Sequence, residues 1–206
     1  MRYFILSSCL LILLSCNKAY KNLHQTTGDI SVLQKFKLSA SVALYNTQVE
    51  VKIGGNLSGL MLIKKMPDSS TRIVFASQMG LNFFDFGFNA DGSFKVYSIL
   101  KQMNRKPVIK TLRKDFDLIL MRGLDSNRVS IRKNDSLTYY IFKQTKGYYT
   151  YVTNNTGTEL VSMEISSKRK PVVKAIMKNY IDGVPDTISI SHQNFKFNIG
   201  LKRIER

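Results

Sequence analysis

Tryptophan is absent from the 206 residues, histidine occurs only at His24 and His192, and the two cysteines, Cys9 and Cys16, both fall near the N-terminus. The rest of the chain therefore cannot be stapled by disulfides, and neither a thiol–histidine nucleophile nor a cysteine-rich zinc site can be built from it. Acidic side chains are scarce: fourteen Asp and Glu stand against thirty-one Lys and Arg, for a net charge of +17. Asp115 and Asp117 are two apart, which on a helix turns them away from each other. Asp85 stands alone in an aromatic run and reads as the solvent-facing residue of an alternating strand. There is no Gly-rich phosphate loop, no His-x-x-x-His and no Gly-x-Ser-x-Gly. Enzymatic chemistry is not expected, and neither a metal nor a cofactor is called for.

Long apolar runs are also missing, except at the start. Met1 to Cys16 reads MRYFILSSCLLILLSC, one cation followed by an almost wholly apolar stretch. This is the pattern of a secretory leader, and it is shorter than the roughly 20 residues of a membrane-spanning helix. Its end, Leu13-Leu14-Ser15-Cys16, resembles the bacterial lipobox, where a diacylglyceryl group is placed on the cysteine sulfur and cleavage follows. No small-x-small site of an ordinary leader lies nearby. The resemblance implies a signal peptide over residues 1–15, lipidation at Cys16 and a chain held by membrane lipid. Asn17 follows the cysteine where aspartate favours inner-membrane retention, so the expected address is the outer membrane, facing the periplasm.

Export changes the meaning of the charge. Nucleic acid is not an expected partner of an exported chain, whereas anionic headgroups or an acidic protein are. A basic, well-solvated surface accounts for the same composition. Residues 16–34 are polar and aperiodic and read as a tether, with a short helical turn near Ile30 to Gln34. One folded domain is expected over residues 35–206, long enough to bury a core of its own.

Within that domain the dominant signal is alternation with period two. Phe36, Leu38, Ala40, Val42 and Leu44 alternate with Lys37, Ser39, Ser41, Ala43 and Tyr45, which predicts a half-buried strand with the first set inward. Val49 to Ile53, Leu60 to Leu62 and Ile73 to Phe75 continue the pattern around a turn at Met66 to Ser69. Leu81 to Asn89 and Ser93 to Ile99 form a predicted hairpin about Asp91-Gly92. After a gap, seven further strands are predicted from Arg128 to Ile204. Between the two meanders, Pro107 to Arg122 places Val108, Ile109, Leu112, Phe116, Ile119 and Leu120 within an arc of about 120° at 3.6 residues per turn. Pro107 suits the first turn of that helix and Gly123 its stop. The expected fold is mainly β: a curled antiparallel sheet of about a dozen strands, forming an unclosed half-barrel capped by a helix.

Three stretches resemble the LolA/LolB-like superfamily of outer-membrane lipoprotein carriers and receptors. They are Ile73 to Tyr97, matching a strand–turn–strand–hairpin; Lys106 to Leu124, matching a proline-led helix that ends in glycine; and the closing strands from Thr187 to Ile204. The family's proline in the first turn is replaced here by Gln78, and its tryptophans are absent. The resemblance implies an unclosed barrel whose apolar cavity takes acyl chains, with acylated lipoproteins and a periplasmic carrier as partners and a monomeric chain. It also implies that Met79 is the protruding apolar residue that enters the bilayer. The acyl-cavity residues it points to are Phe36, Leu38, Val42, Leu62, Phe75, Phe84, Phe86, Leu112 and Phe116.

Twelve Phe, ten Tyr and eight Met suit such a cavity. Phe83, Phe84, Phe86 and Phe88 put large apolar groups on both faces of one strand, so a helix or a ligand must cover the second face. A well-filled core has the same composition. Three readings therefore stand: an acyl-chain receptor or chaperone, which is the one expected; an adaptor lipoprotein that docks an anionic membrane or acidic protein through its basic surface; and a small hydrolase, which would need convergent acid and base groups that the sequence does not display.

Overall fold

The computed structural model describes residue 20, residues 22–51 and residues 55–204. The leader and the lipidation site at Cys16 lie outside the described residues. Among the described residues no helix is long and apolar enough to cross a membrane.

In chain order, β1 (His24–Gln25) and a 3-10 turn (Ile30–Phe36) lead into β2 (Val42–Val51), β3 (Asn56–Lys65), β4 (Thr71–Ala76), β5 (Asn82–Phe88) and β6 (Phe94–Ile99). The helix α1 (Lys106–Ile119) follows, then β7 (Val129–Lys133), β8 (Leu137–Lys143), β9 (Tyr148–Asn154) and β10 (Leu160–Ser166). The chain ends with β11 (Pro171–Ile181), β12 (Val184–His192) and β13 (Phe197–Arg203). All thirteen strands belong to one antiparallel sheet in the order β1-β7-β8-β9-β10-β11-β12-β13-β2-β3-β4-β5-β6. Pairing of β13 with β2 joins the two meanders, so β6 is one edge of the series and β7 lies at the other, bordered only by the two-residue β1. The sheet is not closed, and α1 is the link between those two strands.

Register aligns the inward side chains into rows. Tyr140, Tyr151, Met163, Ala175, Ile190, Ile199 and Val49 are successive cross-strand partners from β8 round to β2, and all are buried. Tyr45, Met61, Phe75 and Phe84 continue a second row from β2 to β5. Burial of such rows on one face, with polar residues on the other, is what fixes strand register.

Three expectations need correction. The strand expected from Phe36 begins only at Val42, because Ile30–Phe36 is a 3-10 turn whose start is capped by Asp29, which accepts the Ser31 N–H at 2.8 Å. Its inward residues are Ala43, Tyr45, Thr47 and Val49, the opposite phase to the one expected, and Val42 is 44% exposed. Val42 to Tyr45 are all apolar or aromatic, so alternation there carries no phase; pairing of Ala43 with Ile63 and Tyr45 with Met61 decides it. The same register sends Leu62 outward, half-buried beside Leu44 and Val74.

The segment read as a tether is partly built into the body. His24 and Gln25 pair with Lys133 and Arg132, and Leu33 is buried in the core. Folded structure thus begins ahead of residue 35. Finally, α1 ends at Ile119 with Leu120 as its cap, not at Arg122. Met121 takes the left-handed conformation (φ 50°) usually given to glycine, while the Arg122 N–H donates to the Asp117 carbonyl at 2.9 Å. That geometry keeps Met121 buried in the core and turns Arg122 toward the rim.

Candidate functional site

The concave face beneath α1 is packed. Phe84 stacks on Phe86 with centroids 4.5 Å apart and meets Phe116 of the helix at 5.8 Å, while Phe88 meets Phe116 edge-on at 6.2 Å. Phe75, Phe84, Phe86, Leu112 and Phe116 are each no more than 1% exposed. Alternation in β5 is regular: Phe84, Phe86 and Phe88 point inward and Asp85 and Gly87 outward. Phe83, the residue out of step, lies 4.7 Å from Phe75 where the register shifts between Phe75 and Ala76. The aromatic strand is therefore covered on its inner face by the helix. On the outer face Asp85 accepts two hydrogen bonds from Arg72, both 2.7 Å, from Nε and Nη2.

Six of the nine expected cavity residues, Phe36, Phe75, Phe84, Phe86, Leu112 and Phe116, belong to one buried core cluster, and Leu38 packs against it. Phe36 is edge-on to Tyr180 at 6.1 Å, with Tyr180 Oη donating to the Phe36 carbonyl at 3.2 Å. Val42 and Leu62 lie on the outer face. Leu38 alone of the nine lines one of the clefts described below.

A buried polar pair fastens the helix to the wall. Asp115 Oδ2 lies 3.0 Å from His192 Nε2 of β12, with side chains 1% and 4% exposed. Desolvation raises the Asp115 carboxyl above its ordinary range, and the hydrogen bond and charge of His192 pull the other way. Asp115 Oδ1 has no hydrogen-bond partner among the described residues. The His192 ring packs against Phe195 (4.7 Å) and Phe197 (5.1 Å). Nearby, Tyr151 Oη donates to the Leu118 carbonyl at 3.0 Å, and burial pushes the Tyr151 hydroxyl well up. Neither residue lines the clefts described below, and with both side chains out of solvent the pair fastens α1 to β12. Sequence reasoning passed over it because the partners are 77 residues apart. One signal was available: Asp115 falls on the same helical stripe as Leu112, Phe116 and Ile119.

Open space lies at the mouth of the half-barrel, where the C-terminal end of α1 meets the 3-10 turn and the β5–β6 hairpin. One cleft there, about 580 Å³, has Ile30, Leu33, Met121, Leu124 and Phe142 in its wall. A smaller one, about 130 Å³, lies beside it and includes Lys65, Ser69 and Thr71. Lys37 and Arg122 line both. Arg122 is held in place by Nη2 donating to the Asn89 carbonyl at 2.6 Å and by Asp117 at 3.4 Å from Nε. At the opposite end, the β4–β5 turn closes on Ser77, which accepts the Leu81 N–H on its hydroxyl at 3.0 Å. Met79 on that turn is 95% exposed and Leu81 is 52% exposed.

Among solved structures, a LolA superfamily protein from Nitrosomonas europaea superposes with a TM-score of 0.54 at 8% identity, covering 87% of this chain and 93% of that one. The fold is LolA-like. A putative outer membrane lipoprotein-sorting protein domain from Vibrio parahaemolyticus aligns at a TM-score of 0.44 and 7% identity, over 85% of this chain and 89% of its own. No family model and no curated protein sequence matches the chain. In this LolA-like fold the capping helix occupies the concave face, and clefts of mixed polar and apolar lining lie at the mouth.

Proposed function

We propose that this LolA-like chain is a lipid-anchored, non-enzymatic receptor or chaperone of lipoprotein localisation that binds the acyl chains of lipids or lipoproteins. The observation that carries the reading is the unclosed half-barrel with a cleft at its mouth, where Ile30 and Leu124 stand over the buried Leu33, Met121 and Phe142 beside Lys37, Asp91 and Arg122. A cleft of about 580 Å³ is within the range of small-molecule sites. Acyl binding in it is non-directional and gains about 0.8 kcal/mol per buried methylene. The lipobox-like sequence at Cys16 supports an anchor in the outer membrane, facing the periplasm. Acylated lipoproteins delivered by a periplasmic carrier are the clients, and the chain works as a monomer. Met79 enters the bilayer at hand-over, a role that its near-complete exposure supports.

The test is native mass spectrometry of the Cys16→Ser protein with a synthetic acylated lipopeptide. One lipopeptide per protein is expected, with binding lost in Leu124→Glu. Met79→Glu should retain binding but slow transfer to liposomes about tenfold, the equivalent of one apolar side chain's insertion. Absence of binding at every ratio would sink this reading. It would favour the adaptor that docks an anionic membrane or acidic protein through its basic surface, which the filled core beneath α1 also suits.

A further inference from the structure

The two clefts at the mouth differ in chemistry, and the difference selects a ligand. The larger has apolar patches at Ile30 and Leu124 among polar side chains that include Asp91; the smaller presents Lys37, Lys65 and Arg122 together with the hydroxyls of Ser69 and Thr71, and no acid lines the smaller. Because Lys37 and Arg122 belong to both, the clefts are two halves of one groove. Among the described residues Lys37 and Lys65 form no ion pair, while Arg122 is balanced in part by Asp117. Among the described residues Lys37 and Lys65 thus face the smaller cleft with no acid in its lining, and the acid of the larger cleft is Asp91.

These cations are carried on fixed backbone. The Lys37 N–H donates to the Gln34 carbonyl at 3.2 Å, and the Lys65 N–H to the Ser41 carbonyl at 2.8 Å. Ser69 and Met121, one in each half, hold positive φ values of 64° and 50°, a backbone state disfavoured for residues with a Cβ. The groove is thus a shaped feature with apolar and oxyanion-accepting parts side by side.

We infer that the mouth binds a single amphiphile with a phosphate-ester headgroup, the phosphate lying among Lys37, Lys65, Ser69 and Thr71 and the acyl tail along Ile30 and Leu124. This rests on the acyl-binding reading above and narrows its ligand to an anionic lipid. Charge-assisted hydrogen bonds from lysine and hydroxyl to phosphate supply the discrimination, and in a rim open to water they weaken with salt.

The experiment compares two probes that differ only in the phosphate, lauroyl lysophosphatidic acid and monolauroyl glycerol, titrated below their micellar concentrations into the Cys16→Ser protein. At low salt the phosphate lipid should bind one per protein and about tenfold tighter, one charge-assisted hydrogen bond's worth, with the gap shrinking in roughly 0.5 M salt. In Lys37→Gln/Lys65→Gln, two exposed positions, the phosphate lipid should weaken about tenfold while monolauroyl glycerol is unchanged. Equal affinities, or equal losses for both probes in the variant, would overturn the headgroup site and leave acyl binding standing. Competition by glycerol 3-phosphate alone at the same affinity would overturn it in favour of a small-phosphate site. If neither lipid binds, the acyl reading itself fails, and this inference with it.

Discussion

Replacing His192 with alanine strands the Asp115 carboxylate inside the half-barrel. In the intact protein Oδ2 of Asp115 has the imidazole nitrogen at 3.0 Å, both side chains are at most 4% exposed, and Oδ1 is already without a partner among the described residues. Removing one member of a buried pair costs roughly 3–5 kcal/mol, because the other is left uncompensated. In a chain of this size a loss of about 3 kcal/mol lowers Tm by roughly 6–12 °C. Adding Asp115→Asn to His192→Ala removes the stranded charge, so the double variant should recover about 1–3 kcal/mol of that loss. The pH dependence has a definite sign. A carboxyl raised in the folded state contributes its full stability below its unfolded value, near pH 4, and loses it as pH rises through the folded value. Without His192 the interactions that pull the value back are gone, so the single variant should lose stability with rising pH above 4 more steeply than the parent. Urea denaturation of the Cys16→Ser protein and its variants across pH 4 to 8 measures each quantity. A cost below about 1 kcal/mol for His192→Ala, or no recovery in the double variant, would refute the fastening role.

Two further outcomes follow from the core and the turns. Tyr45 is fully buried, donates to the Pro185 carbonyl at 3.0 Å, and has its hydroxyl pushed up to about 12 by desolvation. That contribution is full below pH 10 and is lost as pH climbs through 12, a difference of about 3 kcal/mol, so Tyr45→Phe should flatten the alkaline fall in stability read by near-ultraviolet circular dichroism. A Cβ at Gly147 (φ +85°) would lie 2.0 Å from the Ser166 carbonyl oxygen, whereas one at Gly92 (φ +86°) meets nothing within 4 Å. Gly92→Ala should therefore cost only the left-handed penalty of about 1–2 kcal/mol and Gly147→Ala distinctly more, and equal urea midpoints for the two would contradict the close approach.

Much of this molecule is local in origin. A period of two follows from backbone geometry alone, so β5 was readable from Phe84, Phe86 and Phe88, the hairpin from Asp91-Gly92, and the helix from its apolar stripe. Thirteen strands with one capping helix are the consequence of that patterning, and a curled, unclosed sheet is what so many strands make. Where local signals are degenerate, pairing between distant strands decided. Val42 to Tyr45 offered no phase until Ile63 and Met61 lined up opposite Ala43 and Tyr45. The end of α1 looked like Gly123, yet packing of Met121 in the core outweighed its left-handed penalty. Composition alone did not distinguish a hollow barrel from a filled one; close packing of Phe84, Phe86 and Phe116 moved the open space to the mouth. Asp115 with His192, and Lys37 with Lys65 and Arg122, are neighbours only because a sheet that joins β13 to β2 brings remote residues to one wall and one rim. Sequence determined most of the strands and which face of the helix is apolar, because those depend on residues a few positions apart. Register, enclosure and charge pairing depend on residues tens of positions apart, and only the tertiary structure sets those.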